Sequence, residues 1–337
     1  MERIALFYSG GTLYWSSIII TLAATAAICG FLWLYLRESG NITAGFSAVA
    51  TALVLSLLFA RLVHYYAFTE AYPNLFTALT DYSTGGFALI GAFAGCLAAA
   101  KLTHAVGLHK DIPEMLDCMC LGGGAAIAVG RLSAFYNLSD RGQIVSASPA
   151  MPWVTTVVNT VSGTTEHRLA TFLLQAFITG TITIALMIFY RKRPRSYRNG
   201  DTALLFLLCY CAAQVILDST RYDAISFHSN GFISIVQVTS VLTVIFIIAL
   251  LSLRMVKHHG LIVWNLLMWS GMLLLLAITG YMEYHVQRHG NHALFAYTVM
   301  TLCMSGLVAL AVFIYRHSQK PDQRKHSHKE VHYGTRM

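Results

Sequence analysis

The chain has 337 residues, of which 56% are hydrophobic and 11% are charged, and its formal net charge is +8. A soluble protein of this size cannot bury so much apolar surface, so the composition excludes a soluble globular domain and predicts an integral membrane protein. The apolar runs are continuous and do not alternate with period two, which excludes a transmembrane β-barrel and predicts spanning helices.

Nine segments are apolar over the length of about 20 residues that a helix needs to cross the hydrocarbon. They lie at residues 13–36, 43–67, 85–104, 114–134, 168–190, 202–219, 231–254, 262–282 and 292–315. The fourth segment is the weakest, because three consecutive glycines and the charged Arg131 interrupt it. We therefore predict an all-α polytopic membrane protein with about nine transmembrane helices. We expect the first segment to remain as a span, since it is too long for a signal peptide and no basic region precedes it.

Lysine and arginine residues accumulate in one set of alternate connections, which holds 16 of them against seven on the other side. Because basic residues stay on the cytoplasmic side of a membrane, we predict an outer amino terminus and a cytoplasmic carboxyl terminus. The positive charge then forms an inner rim that faces anionic lipid, and we expect no nucleic-acid partner.

Two of the predicted outer connections are long. Residues 68–84 contain Tyr72, Pro73, Asp81 and Tyr82, and residues 136–167 are rich in Ser, Thr, Val and Pro. The second connection is longer than a bare link requires, so it is either a lid or arm, or a disordered linker. Within it, the Val-Thr-Thr-Val-Val run at 154–158 is either a short strand or an interfacial segment.

Small residues dominate residues 85–100, with Gly, Ala or Cys on nearly every turn. They favour close packing against another helix, although the sequence alone does not distinguish packing from room for a lipid tail. The seven cysteines all fall within predicted spans, and the spacing of Cys118 and Cys120 places their thiols far apart around a helix. We expect no disulfide, no metal site and no cofactor.

Four charged residues fall at the ends of spans that should reach the outer half of the bilayer: Arg61, Arg131, Asp218 and Arg221. Charges at this depth are costly and are candidate site residues. They either extend to the interface or form structural ion pairs, as the three-residue spacing of Asp218 and Arg221 allows. Alternatively, the three arginines bind a lipid phosphate through their guanidinium groups.

Residues 130–142, GRLSAFYNLSDRG, resemble the signature Gly-Arg-(Ile/Leu)-Gly-Asn-Phe-Ile-Asn-Gly-Glu of the prolipoprotein diacylglyceryl transferases, which is followed three residues later by Gly. Four supporting segments occur in the family's order, and the resemblance covers about residues 12–255. These segments are LFARLVHYY, GGFALIGAFAG, RLATFLLQ and GDTALLFLLCYCAAQVILDSTRYD.

The resemblance implies transfer of a diacylglyceryl group from phosphatidylglycerol to the cysteine thiol of a lipobox in a secreted preprotein, at the outer half of a bacterial cytoplasmic membrane. The implied partners are phosphatidylglycerol or another anionic phospholipid and the signal peptide of the preprolipoprotein. It further implies a seven-helix transferase-like domain at 1–258, to which a helix pair at 259–316 and a basic tail at 317–337 are added.

The resemblance also assigns site residues. The expected catalytic residues are Arg131, Asn137 and Asp140. The expected substrate-binding residues are Arg61, Tyr65, Gly142, Asp218 and Arg221. The reaction needs cations for the departing phosphate and a base for the thiol, and His64, Tyr65 and Asp140 are the candidate proton acceptors.

Several positions depart from the family pattern. Ile90 replaces a His or Tyr, Ala134 replaces an Asn, and Ser139 replaces the signature Glu, with Asp140 displaced by one. Further along, a His-Pro pair becomes Leu169-Ala170, and a Glu and an Arg become Gln175 and Gln214. Two alternatives therefore stay open: a non-catalytic paralogue that binds phospholipid or lipoprotein precursors, and a transporter or assembly factor that uses helices 262–315.

Overall fold

The computed structural model describes residues 4–8, 11–68, 72–81, 86–137, 139–145, 151–158, 163–193, 197–224, 233–260, 262–289 and 292–319. In these ranges the chain is mostly helical. The helices are α1 Trp15–Ser39, α2 Ile42–Ala67, α3 Leu75–Thr80, α4 Leu89–Ala105, α5 Ile112–Arg131, α6 Thr171–Arg191, α7 Asp201–Ser219, α8 Ile235–His259, α9 Ile262–His289 and α10 Ala293–Ser318. A 3-10 helix, Leu132–Phe135, directly continues α5.

Eight of the described helices are long and apolar enough to cross a membrane, and α4 is an apolar helix of 17 residues. These nine helices match the nine predicted segments, so the prediction of an all-α polytopic membrane protein is confirmed. The weak fourth segment forms one continuous helix, and two of its three consecutive glycines, Gly122 and Gly124, pack closely against other helices. A Cβ on Gly122 would lie 2.7 Å from the carbonyl oxygen of Ala27 in α1, and one on Gly124 would lie 2.3 Å from the Thr183 hydroxyl in α6.

The small residues of α4 serve close packing against α2. A Cβ on Gly91 would lie 2.3 Å from the Phe59 carbonyl oxygen, and one on Gly95 would lie 2.5 Å from that of Leu55. The two backbones therefore touch, which only glycine permits. This settles the choice left by the sequence, since a lipid tail does not fit between these helices at the two glycines.

Each spanning helix runs antiparallel to the next. The carboxyl ends of α2, α5, α7 and α9 and the amino ends of α4, α6, α8 and α10 consequently lie at one side of the bundle, which we call the site face. The predicted convergence of the charged span ends depends on this alternation. The last helices differ in their packing: α10 contacts α7, α8 and α9, whereas α9 packs mainly on α10.

Two antiparallel hairpins lie at the site face. β1 Ile4–Tyr8 and β2 Gly11–Tyr14 precede α1, and β3 Val154–Val158 pairs with β4 Thr165–Leu169 in the second long connection. The run at 154–158 is therefore a strand, and this connection carries an arm. The other long connection contains α3, which the sequence did not predict. Tyr82 and most of the tail at 317–337 lie outside the described residues.

Candidate functional site

The site begins where α5 ends. Asp140 lies in the loop after the 3-10 helix and contacts two arginines that are far apart in the sequence. Its Oδ2 atom lies 2.7 Å from Arg131 at the end of α5, and its Oδ1 atom lies 2.9 Å from Arg221 just beyond α7. One carboxylate thus bridges two guanidinium groups, and all three side chains are at most 17% exposed.

Arg221 also contacts two further carboxylates. Asp218 lies 3.2 Å away on the last turn of α7, and Asp223 lies 3.0 Å from the Arg221 Nε atom. We call Arg131, Asp140, Asp218, Arg221 and Asp223 the charge cluster. It holds two positive and three negative groups.

The loop conformation at Asp140 is unusual and is fixed by hydrogen bonds. Asp140 has a φ of 56°, in the left-handed region that costs a non-glycine residue about 1 kcal/mol. Its backbone N–H donates to Asp223 at 2.9 Å, and its carbonyl accepts from the Phe172 N–H at 3.1 Å. These bonds direct its side chain toward the two arginines.

The two arginines set the ionisation of Asp140. Burial alone would raise the pKa of this carboxyl, but the charges of Arg131 and Arg221 outweigh burial and lower the pKa. Burial likewise favours the neutral form of Arg221, but Asp140 and Asp218 outweigh it and raise the pKa of that guanidinium. Asp140 is therefore an ionised bridge and a weak base.

Asp218 is held from α8. It is 1% exposed, and the Ser234 hydroxyl donates to its second oxygen. Ser234 is the N-cap of α8 and forms a reciprocal capping box with Gln237. The start of α8 thus positions the carboxylate that orients Arg221.

Backbone bonds join the loop after α5 to the segment after α7. The Gln143 N–H donates to Thr220 at 3.0 Å, and the Tyr222 N–H donates to Arg141 at 2.9 Å. Gly142 lies between them and opposite Arg221, with no room for a side chain, since a Cβ would lie 2.6 Å from that of Leu169. Gly142 therefore supports the site through its backbone.

Asn137 organises the same loop. Its Oδ1 atom accepts from the Ser139 N–H at 3.1 Å and from the Ser139 hydroxyl at 2.5 Å, which forms a local turn. Its carbonyl accepts from Arg141 at 3.2 Å, and Arg141 also donates to Thr155 of the β3–β4 hairpin. Asn137 and Arg141 thus tie the loop to the arm.

Arg61 belongs to a different environment. It is 1% exposed and donates to the carbonyl oxygens of Ala78 at 2.5 Å, of Gly86 at 2.7 Å and of Asp81. Its guanidinium also lies 4.9 Å from the centre of the Tyr72 ring. These contacts link Arg61 to main-chain carbonyl oxygens of the connection between α2 and α4.

His64 and Tyr65 surround the same aromatic ring. The Tyr72 hydroxyl lies 3.1 Å from the His64 Nδ1 atom, and the rings of Tyr65 and Tyr72 are 6.3 Å apart. The structure therefore groups Tyr65 with Arg61 and His64, and groups Arg131, Asp140, Gly142, Asp218 and Arg221 at the charge cluster.

The two glutamines that depart from the family pattern contact each other. The Gln175 Nε2 atom on α6 donates to the Gln214 Oε1 atom on α7 at 3.3 Å, and neither residue is more than 3% exposed. The remaining amide atom of each side chain, Gln175 Oε1 and Gln214 Nε2, is buried without a hydrogen-bond partner in the described structure. Both departures therefore concern one buried contact.

Three residues of the site were missed from the sequence. Asp223 is the last residue of the matched segment GDTALLFLLCYCAAQVILDSTRYD, but no role was assigned to it. Tyr210, one turn before Gln214, interacts with the Arg131 guanidinium, and Ser234 holds Asp218. Neither contact has a local sequence signal, because each joins residues from different helices. Across the described ranges, no group of three His, Cys, Asp or Glu side chains is placed to hold a metal ion.

Comparison with known proteins gives one consistent result. Residues 3–253 match the family model described as prolipoprotein diacylglyceryl transferase. A phosphatidylglycerol–prolipoprotein diacylglyceryl transferase of Lactococcus lactis subsp. cremoris is 27% identical over 267 residues, which cover 77% of this chain and 97% of that protein. The protein of the same name from Limosilactobacillus reuteri is 23% identical over 270 residues, which cover 76% and 92%. Helices α9 and α10 lie beyond the matched residues.

Proposed function

The chain belongs to the prolipoprotein diacylglyceryl transferase family, and we propose that it transfers the diacylglyceryl group of phosphatidylglycerol to the cysteine thiol of a lipobox in a secreted preprotein. The observation that carries the proposal is the pair of arginines held together by Asp140 at the site face. Guanidinium groups bind phosphate oxygens through directed hydrogen bonds, and two of them side by side at the ends of membrane helices suit the phosphate of a lipid.

In the proposed reaction, the thiolate sulfur forms a bond to the terminal glycerol carbon of the diacylglyceryl group. The bond between that carbon and the phosphate ester oxygen breaks, and its electron pair leaves with glycerol phosphate. Arg131 and Arg221 stabilise the charge of this leaving group. The thiol proton passes to a base, for which His64 and Tyr65 remain candidates, whereas the lowered pKa of Asp140 favours a bridging role.

A phosphate that enters the charge cluster meets three carboxylates and two guanidinium groups. We infer that it displaces Asp140, because the Asp140 carboxylate already takes the place of an anion between the two arginines. Asn137 and Gly142 then act through the loop that carries Asp140. For Arg61 and Tyr65 we infer a supporting role, in which they hold the connection between α2 and α4 beside the site.

The proposal extends to the placement of the chain in the membrane. We infer a bacterial cytoplasmic membrane with the site face outward, the amino terminus outside and the carboxyl terminus in the cytoplasm. The excess of basic residues in the opposite set of connections supports this orientation. We further infer a transferase-like unit at 1–258, an added helix pair at 259–316 and a cytoplasmic tail at 317–337, and a preprolipoprotein signal peptide as the protein substrate.

One observation favours a second candidate function. Gln175 and Gln214 form a neutral contact where the family pattern has Glu and Arg, so one cation of the family site is missing. A chain that lacks this charge can bind anionic lipid through Arg131 and Arg221 without catalysing transfer.

Complementation separates the two candidates. The chain is expressed in bacteria depleted of their own diacylglyceryl transferase, and the mass of a reporter lipobox peptide is measured. The transferase adds a diacylglyceryl group to the cysteine, and the addition is lost in Arg131→Ala. Absence of the modification, despite correct membrane insertion, would leave the non-catalytic lipid-binding protein.

A further inference from the structure

Helix α10 lies beyond the part of the chain that matches the family, yet it contacts the helix that leads into the site. The Tyr297 hydroxyl donates to the carbonyl oxygen of Ser219, the last residue of α7, at 3.3 Å. At the other end, the Tyr315 hydroxyl donates to Asp201, the first residue of α7, at 3.1 Å. The contacts are 18 residues apart on each helix, from 201 to 219 and from 297 to 315. Helix α10 therefore lies alongside all of α7.

The contact at Ser219 completes the hydrogen bonding at the carboxyl end of α7. The last carbonyls of a helix have no partner within it and need one from elsewhere. Those of Ile216, Leu217 and Asp218 accept from the Thr220 N–H, the Thr220 hydroxyl and the Arg221 N–H. The Ser219 carbonyl accepts from Tyr297, so the cap of α7 includes one bond from outside the family core.

The position of this end of α7 decides the geometry of the charge cluster. Asp218 precedes Ser219, and Arg221 follows it by two residues. The bridge from Arg221 through Asp140 to Arg131 depends on distances of 2.9 and 2.7 Å. A shift of the chain at residue 219 by a fraction of an ångström would move Arg221 relative to Asp140, and preorganised charge loses its effect with such shifts.

Two buried polar groups, one on α7 and one on α9, add a second indication that the added helices α9 and α10 pack on the rest of the protein. The Ser219 hydroxyl and the Glu283 Oε2 atom of α9 are buried without a hydrogen-bond partner in the described structure. Glu283 is 4% exposed, although its other oxygen accepts from Gln287 at 3.1 Å. Polar groups at this depth are costly and are unusual in a helix that merely faces lipid.

We propose that Tyr297 is a positioning residue, through which the added helix α10 holds the carboxyl end of α7 and thereby the Asp218–Arg221 segment for binding of the lipid phosphate. The proposal rests on the proposed function for its chemistry, but the structural contact stands independently. The contact of Tyr315 with Asp201 holds α10 and α7 together at their opposite ends. Asp201 also forms an ion pair with Arg254 of α8, at 3.0 Å.

The test is a coupling experiment on the full chain in nanodiscs. Transfer from labelled phosphatidylglycerol to a lipobox peptide is measured for the wild type, Tyr297→Phe, Arg221→Lys and the double variant. Tyr297→Phe lowers kcat/KM about fivefold, the size of one hydrogen bond, and causes no further loss in the Arg221→Lys background. Thr298→Val is the control, since this α10 hydroxyl bonds the Leu294 carbonyl of its own helix and its loss leaves transfer unchanged.

An equal loss from Tyr297→Phe in both backgrounds, or no loss in the wild-type background, overturns the proposal. Amide hydrogen exchange gives a readout that needs no turnover: Tyr297→Phe speeds exchange at residues 220–222, and Tyr315→Phe speeds it near residue 201 instead. If the wild type transfers nothing, the proposed function fails by itself. In that case the affinity for phosphatidylglycerol is measured for the same four proteins. Losses of affinity from Tyr297→Phe and Arg221→Lys that add in the double variant overturn the positioning role.

Discussion

Arg131, the last residue of α5, and Arg221, two residues beyond α7, share the two oxygens of Asp140, at 2.7 and 2.9 Å. The distance between the two guanidinium groups is therefore set by one carboxylate. A phosphate has oxygens with a similar spacing and charge, so the bridge preserves a geometry in which an anionic headgroup can replace Asp140. It also means that lipid binding and the stability of this face depend on the same side chain.

The first prediction concerns competition between Asp140 and the lipid. Asp140→Asn removes the internal anion but keeps the size of the side chain, so phosphate meets two arginines with one carboxylate fewer. We expect binding of phosphatidylglycerol in a neutral nanodisc to become about tenfold tighter, the effect of one charged contact. Asp111→Asn is the control, since Asp111 contacts Asn199 at the opposite end of the bundle. Weaker binding by Asp140→Asn would place Asp140 within the lipid site itself.

The second prediction is the pH dependence of stability. The folded state lowers the pKa of Asp140, so its ionised form stabilises the fold fully above the unfolded pKa of about 3.9. The stabilisation is lost as the pH falls through the lower folded value. Near neutral pH, the unfolding free energy of the wild type should exceed that of Asp140→Asn by about 3 kcal/mol, and this difference should shrink below about pH 4. Thermal unfolding of the wild type and of Asp140→Asn from pH 3 to 7 measures this difference in stability. A difference that grows in acid contradicts the prediction.

The sequence predicted the parts of the structure that depend on continuous hydrophobicity and on charge. The nine apolar helices follow from span length, and the alternation of the helices predicts that the span ends with Arg61, Arg131, Asp218 and Arg221 lie at one face. The bridge at Asp140 did not follow, because it depends on a left-handed turn and on a bond to Asp223, 83 residues away. The environment of Arg61 was also hidden, since its partners are main-chain carbonyls of an irregular connection, whose positions no side-chain pattern encodes.

The third prediction tests the contact between α2 and α4. Gly95→Ala places a methyl group 2.5 Å from the Leu55 carbonyl oxygen and the Ser56 Cα atom, so the helices must separate. We expect a loss of about 2 kcal/mol in unfolding free energy, typical of overpacking. Gly280→Ala is the matched control, because a Cβ there meets no atom within 4 Å. Equal stability of the two variants would show that α2 and α4 can move apart freely.

The fourth prediction separates a structural arginine from a binding one. Arg61→Met removes the donors to Ala78 and Gly86 and should lower stability by about 3 kcal/mol, because buried carbonyls lose their partners. In contrast, Arg131→Met should weaken phosphatidylglycerol binding at least tenfold. Both variants are compared by thermal unfolding and by lipid binding at a temperature where each is folded. A large loss of lipid affinity in folded Arg61→Met would place Arg61 in the lipid site after all.

The last prediction concerns Gln175 and Gln214, which depart from the family pattern as a pair. The side chains of Gln175 and Gln214 contact each other at 3.3 Å, so the Glu and Arg of the family pattern would also meet here. The two differences together replace an ion pair by a neutral hydrogen bond. Gln214→Arg alone buries an unpaired charge and should reduce the yield of folded protein severely. Adding Gln175→Glu should restore folding, and the double variant should transfer faster than the wild type, since the site regains a cation.

The reversed pair, Gln175→Arg with Gln214→Glu, is the control for this prediction. It carries the same two charges and should fold equally well, but its guanidinium starts from α6 instead of α7, so transfer should not rise. Thermal unfolding and transfer to a lipobox peptide are measured for the wild type, for Gln214→Arg and for the two double variants. If Gln175→Glu fails to rescue Gln214→Arg, the two positions are not energetically coupled. The replacement of the family's Arg by Gln214 is then independent of Gln175. If both double variants transfer faster, an ion pair at this contact is sufficient whichever helix carries its cation, and the position of the cation on α7 has no special role.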